Sequence, residues 1–226
     1  MPWCPVFELG NLMQLIGMLD SPYVRRVAIA LIMAKSPFIH RPISLFRHID
    51  QFSRFNPLLK APTLLTDDGV TLMDSSVILD YLAGVDPRIA ALAPSTAPQP
   101  QRLAALRATA LALTVMEKAV QRHYESMLRS AEKQDGPWID RVTGQLTAGL
   151  SALDVELPGS GWIAGELGLA DITTVCAFGF THSLLADVVD TGRYPNLGAF
   201  SARAEALPAF RAAPAVDGVI APMTPD

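Results

Sequence analysis

The chain has 226 residues, of which 50% are hydrophobic and 18% are charged, and its formal net charge is -4. This composition is typical of a folded, mildly acidic protein that is long enough for two compact domains. It gives no reason to expect a nucleic-acid partner, which would favour a basic surface. The only cysteines, Cys4 and Cys176, are too few for a disulfide framework, so a reducing cytoplasm is the expected compartment. The four histidines do not show the spacing of metal ligands.

The chain opens with the pattern of a strand followed by a helix. A short apolar run, Met13 to Leu19, precedes Asp20-Ser21-Pro22, a combination that favours the end of a strand and the start of a helix. Ser21 is at the position of the helix N-cap, and the apolar residues after it recur at helical spacing. This spacing leaves Arg25 and Arg26 on other faces of the helix, where a solvated surface charge is the default expectation and electrostatic stabilisation of a nearby site is the alternative.

The pattern that follows completes an α/β domain. We predict four further segments, in chain order: an edge strand over Phe38 to Leu45, a short helix over Phe46 to Phe55, a β-hairpin formed by Thr63 to Thr66 and Thr71 to Met73 around the turn Asp67-Asp68-Gly69, and a helix that begins at Asp74-Ser75-Ser76. The first strand, helix and second strand form a βαβ unit. The predicted α/β domain covers residues 13–84.

The rest of the chain predicts helices only. Several prolines among small residues indicate a linker over 85–100, and helical stripes then recur to Ala206, so we expect an all-helical domain over 101–226. The most apolar stretch, Leu169 to Val189, has the length of a membrane span but contains Asp171, His182 and Asp187. A buried helix of a soluble protein explains this stretch better than a membrane span.

Three motifs, in this order, carry a resemblance to a known family. They are Ser21-Pro22-Tyr23-Val24-Arg25-Arg26, Asn56-Pro57-Leu58-Leu59-Lys60-Ala61-Pro62-Thr63-Leu64 and Leu72-Met73-Asp74-Ser75-Ser76-Val77-Ile78-Leu79-Asp80-Tyr81-Leu82. With an α/β domain before a helical one, the chain resembles the cytosolic glutathione transferases of the serine type. The resemblance implies a thioredoxin-like N-terminal domain that carries the glutathione site and an all-α C-terminal domain.

The resemblance assigns the anchoring of glutathione to the second and third motifs. Taken alone, Pro62 would be an ordinary trans proline; the resemblance instead implies a cis bond that lets Ala61 pair with the ligand like an added strand. Ser75 would donate to the γ-glutamyl carboxylate at a helix N-terminus, and Asp74 would hold the region or the amino group. Lys60 would reach the glycine carboxylate. Arg47 or His48 would serve this last purpose equally well.

The resemblance makes Ser21 the candidate for activating the glutathione thiol. A thiol has a pKa of about 8.5, and a hydroxyl hydrogen bond near a helix N-terminus raises the fraction of thiolate at neutral pH. Ser21 would act as a hydrogen-bond donor, with Tyr23 as a competing donor two residues later. Since the turn has no cysteine, disulfide exchange through a protein thiol is not expected.

The expected activity is therefore the attack of glutathione on a small hydrophobic electrophile, as in detoxification, with no metal and no cofactor beyond glutathione. Isomerisation or peroxide reduction with glutathione is an alternative, as is a non-catalytic interaction protein of the same fold. By analogy with the family we expect a homodimer. In the second domain, Gly168 stands three residues before Asp171 where the family has Ser or Thr, so half of a reciprocal helix cap is missing.

Overall fold

A computed structural model describes residues 12–187, 190–216 and 218–220. The described residues divide into two compact units, and Leu92 is the last residue before the division. The first unit contains the chain up to Leu92 together with the described residues from Pro208 onwards, and the second unit runs from Ala93 to Leu207. Within the described residues, none of the helices combines the length and the apolarity that a membrane crossing requires.

The first unit is built on a four-stranded sheet. Its strands are β1 (Gln14–Ile16), β2 (Ile39–Arg41), β3 (Thr63–Leu65) and β4 (Thr71–Met73), in the order β2-β1-β3-β4. β1 pairs in parallel with β2, while β3 is antiparallel to both β1 and β4. The edge position predicted for the second strand and the predicted hairpin are both confirmed.

Four helices lie between and after these strands in the first part of the chain. They are α1 (Pro22–Met33) between β1 and β2, α2 (Ile49–Ser53) before β3, α3 (Ser75–Val85) after β4, and the short α4 (Pro87–Ala90). Every residue of β1 and β3 is buried, so both faces of the two central strands are covered. A small hydrophobic core cluster lies between the sheet and α2. Its members are Ile16, Ile43, Phe52, Phe55 and Leu65.

The second unit consists of helices and short turns over the residues that the structure describes. Its helices are α5 (Gln99–Leu128), α6 (Gly136–Glu156), α7 (Leu169–Leu184) and α8 (Pro195–Glu205). α5 packs against both α6 and α7. The packing of α5 on α6 is close because Gly149 lies beside Val115, where an added Cβ would come within 2.8 Å of the valine Cγ2. The predicted all-helical second half is confirmed.

The C-terminal segment differs from the predicted helical domain of 101–226. A short helix, α9 (Pro208–Ala212), packs against α1, and residues from Pro208 group with the first unit. The reason is the side chain of Arg25, whose Nε donates to the carbonyl oxygen of Ala213 at 2.7 Å. Its guanidinium carbon also lies 5.9 Å from the ring centre of Phe210, a cation-π distance. The buried Arg25 therefore attaches the segment around α9 to α1.

Candidate functional site

The pairing of the strands brings the three motifs to one end of the sheet. Ile16 at the end of β1 pairs with Thr63 at the start of β3, and Thr63 pairs with Met73 at the end of β4. Because β3 is antiparallel to both neighbours, these three positions form a row at the same end of the strands. The segments that carry Ser21, Ala61-Pro62 and Asp74-Ser75 leave the sheet from this row. The sequence predicted the hairpin but not the pairing of β1 with β3.

The β1–α1 connection holds Ser21 at the start of α1. Gly17 has a φ of +139°, and an added Cβ there would lie 2.6 Å from Val24 Cγ2 and 3.2 Å from Ala61 Cβ. Only glycine fits both this backbone conformation and this space. Gly17 therefore allows the start of α1 and the loop of Ala61 to approach each other closely.

Ser21 is the N-cap of α1, as predicted. Its carbonyl oxygen accepts the Arg25 N–H at 2.9 Å, and its Oγ accepts the Val24 N–H at 3.4 Å. The second distance is long for an N–H···O bond, so the hydroxyl is only weakly engaged as a cap. The residue is half-buried, and the following Pro22 takes the first helical position. Tyr23, the competing donor, is also half-buried in the first turn.

The loop before β3 is held in shape by Asn56, a residue whose role the sequence analysis missed. Its side chain is 1% exposed and uses both of its polar atoms. The Nδ2 donates to Thr63 Oγ1 at 3.0 Å and to the carbonyl oxygen of Lys60 at 3.4 Å, while the Oδ1 accepts the Leu58 N–H at 3.0 Å. The Asn-Pro pair in the motif predicts a turn, but the sequence does not show whether the asparagine side chain is buried or exposed.

The bond between Ala61 and Pro62 is cis, as the resemblance implied. Pro62 is buried and Ala61 is half-buried. Lys60 is exposed, and so are the two alternative anchors, Arg47 and His48. Of these alternatives, the His48 Nδ1 accepts the Ser44 N–H at 3.3 Å, so that ring also contributes to its own loop.

Asp74 and Ser75 form the start of α3. Asp74 is exposed and has a φ of +68°, and its Oδ1 caps the helix by accepting the Ser76 N–H at 2.8 Å. A non-glycine residue with positive φ is costly and is found more often at functional sites. Ser75 is only 2% exposed, although the residues on either side of it are exposed. Ser75 thus lies directly beneath the surface at this helix start.

Arg25 and Arg26 were predicted to lie on the surface, and this prediction is wrong. They are 2% and 3% exposed, respectively. Arg25 attaches the C-terminal segment, and the Arg26 Nη1 donates to Ser75 Oγ at 3.0 Å and to Ser76 Oγ at 3.1 Å. A helical pattern predicts that charged residues off the apolar face are solvated. It cannot show that these two arginines are buried because they form hydrogen bonds with distant parts of the chain.

His40 supports the connection that leads to Ser21. The ring is buried on β2, with its Nε2 2.9 Å from the carbonyl oxygen of Gly17 and its Nδ1 accepting the Ile220 N–H at 3.2 Å. A neutral imidazole satisfies both contacts when the proton is on Nε2. Burial lowers the pKa of His40, and the hydrogen bond to Gly17 partly opposes this. The spacing of the histidines in the sequence does not indicate this role of His40.

In the second unit, Asp171 stabilises the start of α7. It is 1% exposed, and its two carboxylate oxygens accept the N–H groups of Ile163 at 2.9 Å and Gly168 at 2.8 Å. Burial raises the pKa of Asp171, and the two backbone hydrogen bonds oppose this rise. Gly168 has no side chain, so only this half of the reciprocal cap is present, as predicted.

Over the residues that the structure describes, no group of three or more His, Cys, Asp or Glu side chains is arranged to hold a metal ion. Cys176 is buried on α7, and Cys4 lies outside the described residues. The apolar side chain of Met116, on α5, is also fully buried.

Together these features define a thioredoxin-like sheet domain with a cis-proline loop, combined with a unit of helices. A sequence model of the glutathione S-transferase N-terminal domain matches residues 15–88, and one of the C-terminal domain matches residues 136–203. The chain belongs to the glutathione S-transferase family.

Two similar proteins of known structure contain glutathione or a derivative. A glutathione S-transferase from Methylobacterium radiotolerans, in complex with glutathione sulfonate, is 30% identical, with 88% of this chain and 92% of that chain covered and a TM-score of 0.77. A glutathione S-transferase from Methylobacillus flagellatus with glutathione bound is 29% identical, with 89% and 98% covered and a TM-score of 0.79. An uncharacterised GST-like protein of Escherichia coli K12, YibF, is 26% identical over 172 residues, which are 75% of this chain and 82% of that protein.

Proposed function

We propose that this protein is a glutathione transferase whose glutathione site lies at the end of the sheet where the three motifs meet. The observation that carries the proposal is this convergence of Ser21, Ala61-Pro62 and Asp74-Ser75, which the register of β1, β3 and β4 brings about. The glutathione bound to two similar transferases supports the identity of the ligand.

In this proposal the Ser21 hydroxyl activates the thiol. It donates its hydrogen to the sulfur, and its position at the start of α1 adds the positive end of the helix dipole. Both effects favour the thiolate, so the thiol gives up its proton to solvent or buffer near neutral pH. The thiolate then forms a bond to the electrophilic carbon, and the displaced electron pair goes to the leaving group or to a conjugated acceptor. The Val24 N–H occupies only a lone pair of the Ser21 oxygen, so the hydroxyl hydrogen is available to donate to the sulfur.

The other motifs hold the tripeptide in place. The backbone of Ala61 pairs with the ligand as an added strand would, and the start of α3 receives the γ-glutamyl carboxylate at Ser75, with Asp74 near the amino group. Lys60, exposed beside them, contributes an ammonium group for the glycine carboxylate. These contacts supply proximity and orientation.

The same activated thiolate serves an isomerase or a glutathione peroxidase, so a panel of electrophiles, an isomerisable substrate and an organic hydroperoxide separates these reactions. By analogy within the family we propose a homodimer, which light scattering after gel filtration checks.

Calorimetric titration of glutathione tests the binding site. We expect the wild-type protein to bind, Asp74→Ala to lose affinity, and Ser21→Ala to bind with little change while it fails to ionise the thiol. As a matched control, Asp135→Ala removes another aspartate cap, which accepts the Trp138 N–H at 2.9 Å at the start of α6, and should leave binding unchanged. Absence of binding by the wild-type protein would favour a non-catalytic interaction protein.

A further inference from the structure

Gly17 begins the connection from β1 to Ser21, and β2 holds it through both of its backbone polar groups. Its N–H donates to the carbonyl oxygen of Arg41 at 3.0 Å, and its carbonyl oxygen lies 2.9 Å from the Nε2 of His40. The first bond continues the parallel pairing of β1 with β2 and needs only backbone atoms. The second bond depends on one side chain. His40 therefore determines how the Gly17 carbonyl is held where the chain leaves the sheet.

The orientation of this carbonyl matters because a tight turn follows it directly. The next carbonyl oxygen, that of Met18, accepts the Ser21 N–H at 3.2 Å, so Ser21 closes this turn and then caps α1. Glycine populates more backbone conformations than any other residue, so without a restraint at Gly17 the turn could rotate. Such a rotation would displace Ser21 from its place beside the loop of Ala61. The bond from His40 opposes it.

The C-terminal segment, which comprises the described residues from Pro208 onwards, fixes the tautomer of the His40 ring. The ring Nδ1 accepts the Ile220 N–H at 3.2 Å, so this nitrogen carries no hydrogen. The hydrogen of a neutral imidazole is then on Nε2, the atom that faces the Gly17 carbonyl oxygen. The other tautomer would turn a lone pair of Nε2 toward that oxygen and lose the bond. Burial lowers the pKa of His40, which keeps the ring neutral at neutral pH.

The contact between Ile220 and His40 is buried and has an anchor upstream of it. Both residues are 6% exposed, so each supplies the other with a hydrogen-bond partner that water cannot easily replace. Arg25 holds the same segment at the Ala213 carbonyl oxygen, at 2.7 Å. The segment is therefore attached to α1 by one side chain and to β2 by another.

We propose that His40 is a positioning residue for thiol activation and that the C-terminal segment acts through it. The Ile220 N–H selects the ring tautomer that holds the Gly17 carbonyl, and Gly17 fixes the turn that carries Ser21. The inference rests on the proposed role of Ser21 as the donor to the glutathione sulfur. A hydrogen bond weakens steeply when its distance or angle departs from the optimum, so the stabilisation of the thiolate depends on where this turn holds Ser21. In this role neither His40 nor Ile220 touches the sulfur.

Two substitutions of Ile220 separate its backbone from its side chain. Ile220→Pro removes the N–H, whereas Ile220→Ala keeps it and removes most of the buried side chain. The readout is the pKa of the bound glutathione thiol, followed by the ultraviolet absorbance of the thiolate. We expect Ile220→Pro to raise this pKa by about one unit and to lower kcat/KM at neutral pH by about 5-fold to 10-fold, because one unit is a tenfold change in the thiolate equilibrium. Ile220→Ala should lower the denaturant midpoint and keep the wild-type thiol pKa.

A double-mutant cycle tests whether Ile220 acts through His40. His40→Phe removes both bonds of the ring, so it should raise the thiol pKa at least as much as Ile220→Pro does. Adding Ile220→Pro to His40→Phe should then cause no further rise. The Kd of S-methylglutathione, which has no thiol to ionise, should be the same in all variants, because the anchors of the tripeptide are unchanged.

An Ile220→Pro protein with the wild-type thiol pKa would overturn the inference, and so would an equal rise in Ile220→Ala or additive effects in the double variant. Should His40→Phe not fold, the two Ile220 variants provide the test: a thiol pKa that only the proline raises supports the inference. Ser21→Ala is measured in parallel. If it leaves the thiol pKa unchanged, or if the wild-type protein does not bind glutathione, the proposed function is overturned instead.

Discussion

The starts of α1 and α3 lie at the same end of the sheet but engage their capping side chains differently. At α1 the Ser21 Oγ accepts the Val24 N–H at 3.4 Å, whereas at α3 the Asp74 Oδ1 accepts the Ser76 N–H at 2.8 Å. At α3 the next residue, Ser75, is additionally fixed by Arg26. Hydrogen bonds near 2.9 Å are strong, and they weaken toward 3.5 Å.

Each of the two helix starts is the positive end of its own helix dipole. The difference in their capping bonds indicates that they have different roles. The start of α3 is held by hydrogen bonds of 2.8 and 3.0 Å within the protein itself, which suits a group that has to hold a charge in one place. The start of α1 carries a hydroxyl whose oxygen accepts only a weak bond from the Val24 N–H, and its hydrogen is a separate donor that can serve a thiolate. The comparison therefore predicts that changes at α1 affect the chemical step and changes at α3 affect binding.

The largest expected effect is that of Ser21→Ala. Removing a donor that stabilises developing or resident negative charge costs about 100-fold to 1,000-fold in rate, so kcat/KM for conjugation of a chromogenic electrophile should fall by about that factor. Loss of the weak cap should reduce the free energy of unfolding by only about 0.5 kcal/mol. Tyr23→Phe serves as the control, and it should retain most of the activity. The reverse result, with Tyr23→Phe inactive and Ser21→Ala active, would assign thiol activation to Tyr23.

A smaller effect is expected for Asp74, where two variants separate charge from capping. Asp74→Ala removes both, so the Kd of glutathione should rise by about 10-fold to 100-fold, and the free energy of unfolding should fall by about 1 kcal/mol. Asp74→Asn keeps an oxygen for the Ser76 N–H and should therefore keep most of the stability while binding glutathione weakly. Equal affinities in the wild-type and Asn proteins would show that the charge of Asp74 is not used.

His40 contacts the connection that leads to α1, through the carbonyl oxygen of Gly17. Its protonation should therefore make the stability of the protein depend on pH. Burial lowers the pKa of its folded state below the ordinary value of 6.5. As the pH falls from that value, the unfolded chain takes up a proton before the folded chain does, so stability is lost, at most by about 1.4 kcal/mol per pH unit. Urea unfolding at neutral and mildly acidic pH should show this loss in the wild-type protein and a smaller one in His40→Gln. Equal losses in the two proteins would contradict the assignment to His40.

Lys60 should have the smallest effect, because it is exposed and surface ion pairs contribute at most about 1 kcal/mol. Lys60→Ala is expected to raise the Kd of glutathione by about 2-fold to 5-fold, and this factor should shrink at high salt. Arg47→Ala and His48→Ala, measured in parallel, test the two alternative anchors. If either of them weakens binding more than Lys60→Ala does, the glycine carboxylate is to be placed at that residue.

Local patterns in the sequence predicted the elements well. The turn Asp67-Asp68-Gly69 predicted the hairpin of β3 and β4, and Ser21-Pro22 predicted the start of α1. These features depend on neighbouring residues, and so the sequence displays them directly.

Contacts between distant parts of the chain could not be predicted in the same way. The pairing of β1 with β3, which assembles the site, joins residues about fifty positions apart. The burial of Arg25 depends on Ala213, at the other end of the chain, and the burial of Arg26 depends on α3. A helical pattern contains no information about such partners.

The most direct test of the account is the pKa of the glutathione thiol while it is bound. The ultraviolet absorbance of the thiolate, followed against pH in the complexes of wild type and Ser21→Ala, gives this value. The account predicts a wild-type pKa about one to two units below the ordinary value of about 8.5 and a return toward that value in Ser21→Ala. A bound thiol with the same pKa in both proteins would contradict the role of Ser21.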